Sequence, residues 1–170
     1  MAEAQAITLS EATLELINAR ATEQYAEWKA NATEEQKAKG LEKMEKYKND
    51  EEFKAQQGQI FMNTWNECDA DGDGKLNLQE HKNFESKMHA LKAADGDWNE
   101  SDHAEANYAI VNSVSEGDGY SMSDFRACMG PWMAKFEACK AADSQWASHI
   151  YFLIDWLKIQ KVTLFHQITS

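Results

Sequence analysis

Leu14, Ile17, Ala21, Tyr25 and Trp28 recur at three- and four-residue intervals, the spacing of one face of an α-helix. Thr8, with Glu11 three positions on, predicts that this helix opens in a reciprocal cap. Thr33 with Gln36 predicts a second start, and Leu41, Met44 and Tyr47 form the apolar line of the highly charged run that follows. Asn49 with Glu52 predicts a third, striped by Phe53, Ile60, Phe61, Trp65 and Cys68. After a short polar interruption, Phe84, Met88 and Leu91 resume the helical period. Asn99, with Glu100 and Asp102 where a helix dipole favours acids, predicts another start. Gly130-Pro131 reads as a break, with Pro131 in the first turn of a new helix striped by Trp132, Met133 and Phe136. One proline in 170 residues fits helices joined by brief turns, and the fold class expected is all-α.

Composition narrows the function. Hydrophobic residues make up 43%, enough to bury a core. The 29 acidic and 17 basic residues give a formal charge of -12, which argues against nucleic acid or an anionic membrane surface as partner. It suits a chain that gathers cations. The start, MAEAQAITLSEATLEL, carries acids where a secretory signal needs bases. Cys68, Cys128 and Cys139 are odd in number and lack a metal-ligand spacing, so free thiols in a reducing, cytoplasmic setting are expected. The five histidines are scattered, with no nucleophile–base pairing or phosphate-cradling loop in view, and no enzyme is expected.

The chemistry concentrates between Asp69 and Glu80, in the run DADGDGKLNLQE. Ca²⁺ is a hard ion that takes six to eight oxygens at roughly 2.3–2.6 Å. Asp69, Asp71 and Asp73, at alternate positions, can turn carboxylates inward as the chain curls. Gly74 lacks the Cβ that would oppose the sharp turn. Lys75 offers its backbone carbonyl, Asn77 reaches through a water, and Glu80 is long enough to give both oxygens from the exiting helix. Leu76 turns inward on a short extended segment that needs a partner.

With helices striped on both sides, this run resembles the EF-hand superfamily, in particular its calmodulin-like and sarcoplasmic calcium-binding members. The resemblance implies two such units, paired through their loops. The partner candidate is the stretch 112–124, in which Tyr120 stands where Leu76 does and Ser121–Asp124 mirrors Asn77–Glu80. Counted back from Asp124, it has Ser113, Ser115 and Gly117 where the first loop has aspartates; counted from Tyr108 and Val111, it is one residue too long. A degenerate loop kept for pairing is the reading adopted, beside a weak second site using Ser115, Glu116, Asp118 and Asp124. Asp95-Gly96-Asp97 reads as a linker turn.

The organisation expected is an N-terminal helical segment over 1–49, the EF-hand pair over 50–140 and an apolar tail over 141–170. The last thirty residues hold two Asp and two Lys, so the net charge lies in the first 140. Asp155, Lys158, Gln160 and Lys161 interrupt the tail too often for a membrane span. Trp146, Ile150, Leu153, Ile154 and Leu157 instead suit an amphipathic helix, either a built-in ligand for the lobe or a subunit contact, or else a segment foreign to the domain. Met62, Met88, Met122, Met129 and Met133 fill the core or line a groove for the amphipathic helix of a target. The function expected is calcium binding in signalling, as a sensor, with Mg²⁺ as a possible competitor. A passive buffer and a helical scaffold stabilised by calcium are the alternatives.

Overall fold

A computed structural model describes residues 7–144. The chain is mainly helical, in the order α1 (Glu11–Asn31), α2 (Glu34–Asn49), α3 (Glu51–Cys68), β1 (Lys75–Leu76), α4 (Leu78–Ala94), α5 (Ala104–Asn112), β2 (Tyr120–Ser121), and a helix over 122–144, here α6. No helix among the described residues is long and apolar enough to cross a membrane. The apolar stretch from Trp146, and with it nearly all of the 141–170 segment, lies outside the described residues.

Local chemistry sets the helix ends, in places one or two residues from the expected point. The α2 start is as expected: Thr33 and Gln36 cap each other's backbone. For α1 the cap is Ser10, whose hydroxyl accepts from the Thr13 amide, and Thr8 precedes the helix. The α3 cap is Asp50 in place of Asn49, because only one residue separates α2 from α3. Its amide closes α2 on the Lys46 carbonyl while its carboxylate accepts from Phe53. Nor does Asn99 open a helix. Its side-chain amide donates to the His89 carbonyl and folds the linker back on α4, and α5 begins only at Ala104. Helix α6 runs unbroken through Gly130-Pro131. A proline inside a helix forfeits one backbone hydrogen bond. Cys128 and Trp132, one turn apart, are both buried on the same side, and this packing outweighs the loss.

Two helix–loop–helix units, α3–α4 and α5–α6, meet where β1 and β2 pair antiparallel, Lys75 opposite Ser121 and Leu76 opposite Tyr120. Leu76 and Tyr120 are fully buried there. Around them Trp65, Phe84, Tyr120 and Phe125 form one aromatic cluster, with Trp65 centred 5.8 Å from both Phe84 and Tyr120. Edge-on rings at such distances add to simple burial.

Helix α1 covers this core through a mixed face. Ile17 and Ala21 are wholly buried, yet so are Thr13 and Arg20. The Arg20 Nε donates to Asn107 Oδ1 (3.0 Å), and its guanidinium pairs with Glu100. Gln24 donates to Glu100 (3.0 Å) and accepts from Trp132 Nε1 (3.0 Å). The seam continues inward: Asn107 donates to Glu85 Oε1 (2.8 Å), and His81 Nδ1 lies 2.5 Å from the Tyr120 hydroxyl. Burial holds the Tyr120 phenol far above its usual value, so it keeps its proton. Burial pushes the Glu85 carboxyl up, but the His81 ring and the Asn107 amide outweigh it and hold it below its usual range.

Helix α2 departs from expectation. It has no buried residue, and Leu41 and Tyr47 of its apolar line are about half exposed. Lys39 and Lys43 tie it instead to Asp95 and Asp97 of the linker. In α3 only the second half of the stripe is deeply buried, at Trp65 and Cys68, and Ile60 is exposed.

Two outcomes follow for stability. Ile17→Ala is expected to cost about 2–4 kcal/mol in urea unfolding, and Leu41→Ala less than about 0.5 kcal/mol. Equal effects would mean that α1 is not part of the core. The lowered Glu85 value makes its ionised form a stabiliser above the ordinary carboxylate range, an effect lost as pH falls through that range. The urea midpoint should therefore drop below about pH 4.5, and less steeply in Glu85→Gln; parallel curves for the two proteins would exclude this role.

Candidate metal centre

The loop between α3 and α4 is braced from within by its own acids. Asp69 Oδ2 accepts from the Gly74 amide (3.0 Å), Asp71 Oδ1 from Asp73 (3.1 Å), and Asp73 Oδ1 from Lys75 (2.8 Å). These bonds occupy one oxygen of each carboxylate. They also gather the three, whose ligating atoms lie within 4.8 Å of one another. Gly72 and Gly74 take φ of 72° and 82°, the left-handed turns that curl the chain around this point.

Glu80 closes the loop. Its side chain is buried, with Oε1 accepting from the Ala70 amide (2.9 Å) and Oε2 from the Asn77 amide (3.0 Å). One carboxylate thus joins the entry of the loop to its exit. An ionised carboxylate has about four acceptor sites, so each oxygen keeps capacity for a cation. Asn77 serves as the N-cap of α4, its Oδ1 accepting from Gln79 and Glu80. The Lys75 backbone belongs to β1, and its side chain is only half-buried. Within this loop one side-chain atom is buried without a hydrogen bond, Asp69 Oδ1. A buried carboxylate oxygen left in that condition is costly. The donor set is hard oxygen throughout, which matches a hard divalent cation.

The 112–124 loop shares the frame, but among the described residues its acids form no convergent group like that of Asp69, Asp71 and Asp73. With Tyr120 opposite Leu76, and α5 ending at Asn112 as α3 ends at Cys68, Ser113 takes the place of Asp69. The twelve-residue count from Asp124 therefore holds, and the loop is not one residue too long. Its positive-φ glycines, Gly117 and Gly119, fall one position later than Gly72 and Gly74, so the turn winds differently. Most of its polar groups are already committed, although Asn112 Oδ1 is buried without a partner. Ser113 Oγ donates to the Ile110 carbonyl, and Ser115 Oγ donates to that of Gly119. Tyr108 reaches in from α5, donating to Asp118 Oδ1 (2.5 Å) and accepting from the Gly119 amide (3.0 Å). Asp124 Oδ2 accepts from the Ser121 amide and hydroxyl, a cap for α6. Of the residues weighed for a second site, Glu116 alone has no such bond within the loop.

A second group of ligand-type side chains, Glu27, Glu100 and His103, also converges within 4.8 Å. Its atoms are spoken for: Arg20 and Gln24 hold Glu100, and Glu27 accepts from the Ser101 amide and contacts His103 Nε2. These contacts tether the α4–α5 linker to α1. Cys68, Cys128 and Cys139 are free thiols, the first two buried.

Under the paired loops lies a cavity of about 250 Å³, reached by Phe61, Phe84, Met88, Phe125, Met129 and Trp132. Met88, Met122 and Met129 pack half-buried against the core, while Met133 is 53% exposed. Polar side chains of the α1 seam, among them Gln24, His81, Glu85 and Asn107, form its other wall. Sequence reading passed over these residues. Their only signal is position: Arg20 and Gln24, like His81 and Glu85, are four apart on the same faces as Ile17 and Phe84.

Compared with protein-family models, with curated proteins and with solved structures, the chain has no match.

Proposed function

We propose that the chain is a calcium-binding protein of the EF-hand type, with one site in loop 69–80 and a second unit, α5–α6, that serves to pair. In this reading Asp69, Asp71, Asp73 and Glu80 supply carboxylate oxygens, Lys75 its carbonyl, and Asn77 a water-mediated contact. The carrying observation is the convergence of three aspartates within 4.8 Å beside the partnerless, buried Asp69 Oδ1. Mg²⁺ would compete less well, since it demands a tighter octahedral shell and keeps its waters.

The sensor role draws support from where the loop leads. Glu80 opens α4, and Leu76 belongs to the same core as Trp65 and Phe84, which flank the loop on α3 and α4. A cation that pulls Asp69 and Glu80 together thus acts on the angle between those helices, and through it on the apolar space beneath. Passive buffering is the second reading, and one observation favours it. Glu80 already bridges Ala70 and Asn77, so ion uptake would call for little movement of α4.

Calcium titration by calorimetry tests the site. The expected stoichiometry is one. Glu80→Gln should weaken binding by at least about a hundredfold while helical circular dichroism persists, and Asp124→Ala should change affinity by less than about threefold. Unchanged affinity in Glu80→Gln would sink the assignment of the cage. A stoichiometry of two that Asp124→Ala reduces would sink the single-site reading.

A further inference from the structure

The cavity beneath the paired loops is open along α6. Phe84, Met88 and Met129 line it, and Met133 at its edge is 53% exposed. Its charged groups are unequally served. Glu85 rests on His81 and Asn107, and Glu100 on Arg20 and Gln24. Lys92, an exposed part of the same lining, forms no ion pair among the described residues. What fits such a place is an apolar body with an acid at its flank.

The chain itself carries one. Residues 145–170 follow directly on α6, the helix that gives the cavity Met129, Trp132 and Met133. Thirteen of the twenty residues 146–165 are Ala, Val, Ile, Leu, Phe, Tyr or Trp, so this stretch needs cover from water. Asp155 is the only acid in 145–170, and it stands between Ile154 and Leu157. The end of α6 is fixed beside α1, where Asp143 pairs with Lys29 (2.7 Å) and accepts from the Tyr25 hydroxyl. Trp28, next to Lys29, packs on Phe136 and lines a smaller pocket together with Lys92. The chain therefore leaves α6 on the Lys92 side of the cavity.

Reach and length agree. Met133 lies about 16 Å back along α6 from Ser144, at 1.5 Å per residue. A helix reversing after Ser144 covers that same distance between Trp146 and Leu157. A segment tethered so closely is present at an effective concentration in the millimolar range, which an external helix has to outcompete.

We propose that residues 146–165 dock on the cavity of their own chain, with Ile154 and Leu157 against Met129 and Met133 and with Asp155 on Lys92. The segment is a built-in occupant that any target helix must displace. The inference does not rest on the 69–80 loop holding calcium.

The test uses the full chain in chelator, labelled with ¹³C at its Met, Leu and Ile methyls. Nuclear Overhauser contacts should join the Met129 and Met133 methyls to those of Ile154 and Leu157, in protein that sediments as a monomer. Leu157→Glu should remove these contacts and shift both methionine methyls, leaving Met44 on α2 unmoved. A synthetic 146–165 peptide should then bind that variant at least about tenfold tighter than the unaltered chain. Lys92→Glu should weaken the contacts, and adding Asp155→Lys should restore them. The contacts in the unaltered chain stand even if a variant fails to fold. Their absence there would overturn the proposal, as would equal binding of the peptide to both proteins. Contacts found only between differently labelled copies, at dimer mass, would give the cavity to a second copy and overturn it too. Contacts indifferent to Lys92→Glu would overturn the placement of Asp155. Calcium uptake without these contacts, or the reverse, separates this inference from the calcium reading.

Discussion

The antiparallel contact of Lys75–Leu76 with Tyr120–Ser121 is the constraint on which the rest of the structure depends. It spans two residues on each side, yet it joins both helix–loop–helix units at one point and sends Leu76 and Tyr120 into the centre. Residues alternate sides along an extended segment, so burying Leu76 leaves its neighbours Lys75 and Asn77 on the loop side. Slipping the register by one would bury Lys75 and expose Leu76, which the apolar cluster around Trp65 and Phe84 forbids. The loops are therefore held in a fixed mutual position before any side-chain ligand is considered.

Sharing that frame, the two loops diverge through where their glycines and acids fall. In the first, turns at Gly72 and Gly74 leave three aspartates facing a common point, each steadied by a backbone amide. In the second, the turns come one residue later, and the Tyr108 hydroxyl bonds Asp118 and the Gly119 amide. A phenol supplies there, from inside the protein, the links that hold the turn together. Asp124, one methylene shorter than Glu80, stays on Ser121 at its own helix end, whereas Glu80 reaches across to Ala70. The length of one side chain thus separates a carboxylate that spans its loop from one that only caps a helix.

Helix α1 shows a different economy. Beyond Ile17 and Ala21, the helix sets Tyr25 and Trp28 against Phe136 of α6, and it adds directional contacts: Arg20 on Asn107 and Glu100, Gln24 on Glu100 and Trp132. Such bonds are worth less than apolar burial in net stability but fix orientation more sharply. They also make one wall of the cavity polar, so that its chemistry comes from the N-terminal helix as well as from the paired units.

By sequence alone the chain determined most of its helices, the acid spacing of the 69–80 loop, the inward turn of Leu76 and the scarcity of acids in the 112–124 loop, because each rests on periodicity or on residue types close along the chain. Helix ends at Ser10 and Asp50 lay within two residues of the expected caps, since several neighbouring side chains can cap and only the backbone path selects one. Tertiary structure alone decided the rest. Gly130-Pro131 sits within a continuous helix because Cys128 and Trp132 are both anchored. The α2 line of Leu41 and Tyr47 faces solvent because Lys39 and Lys43 hold that helix by its charges. The meeting of Arg20, Asn107, Glu85, His81 and Tyr120 joins residues up to a hundred positions apart. No local pattern encodes such partners; only the folding of α1 over the paired loops brings them within hydrogen-bond reach.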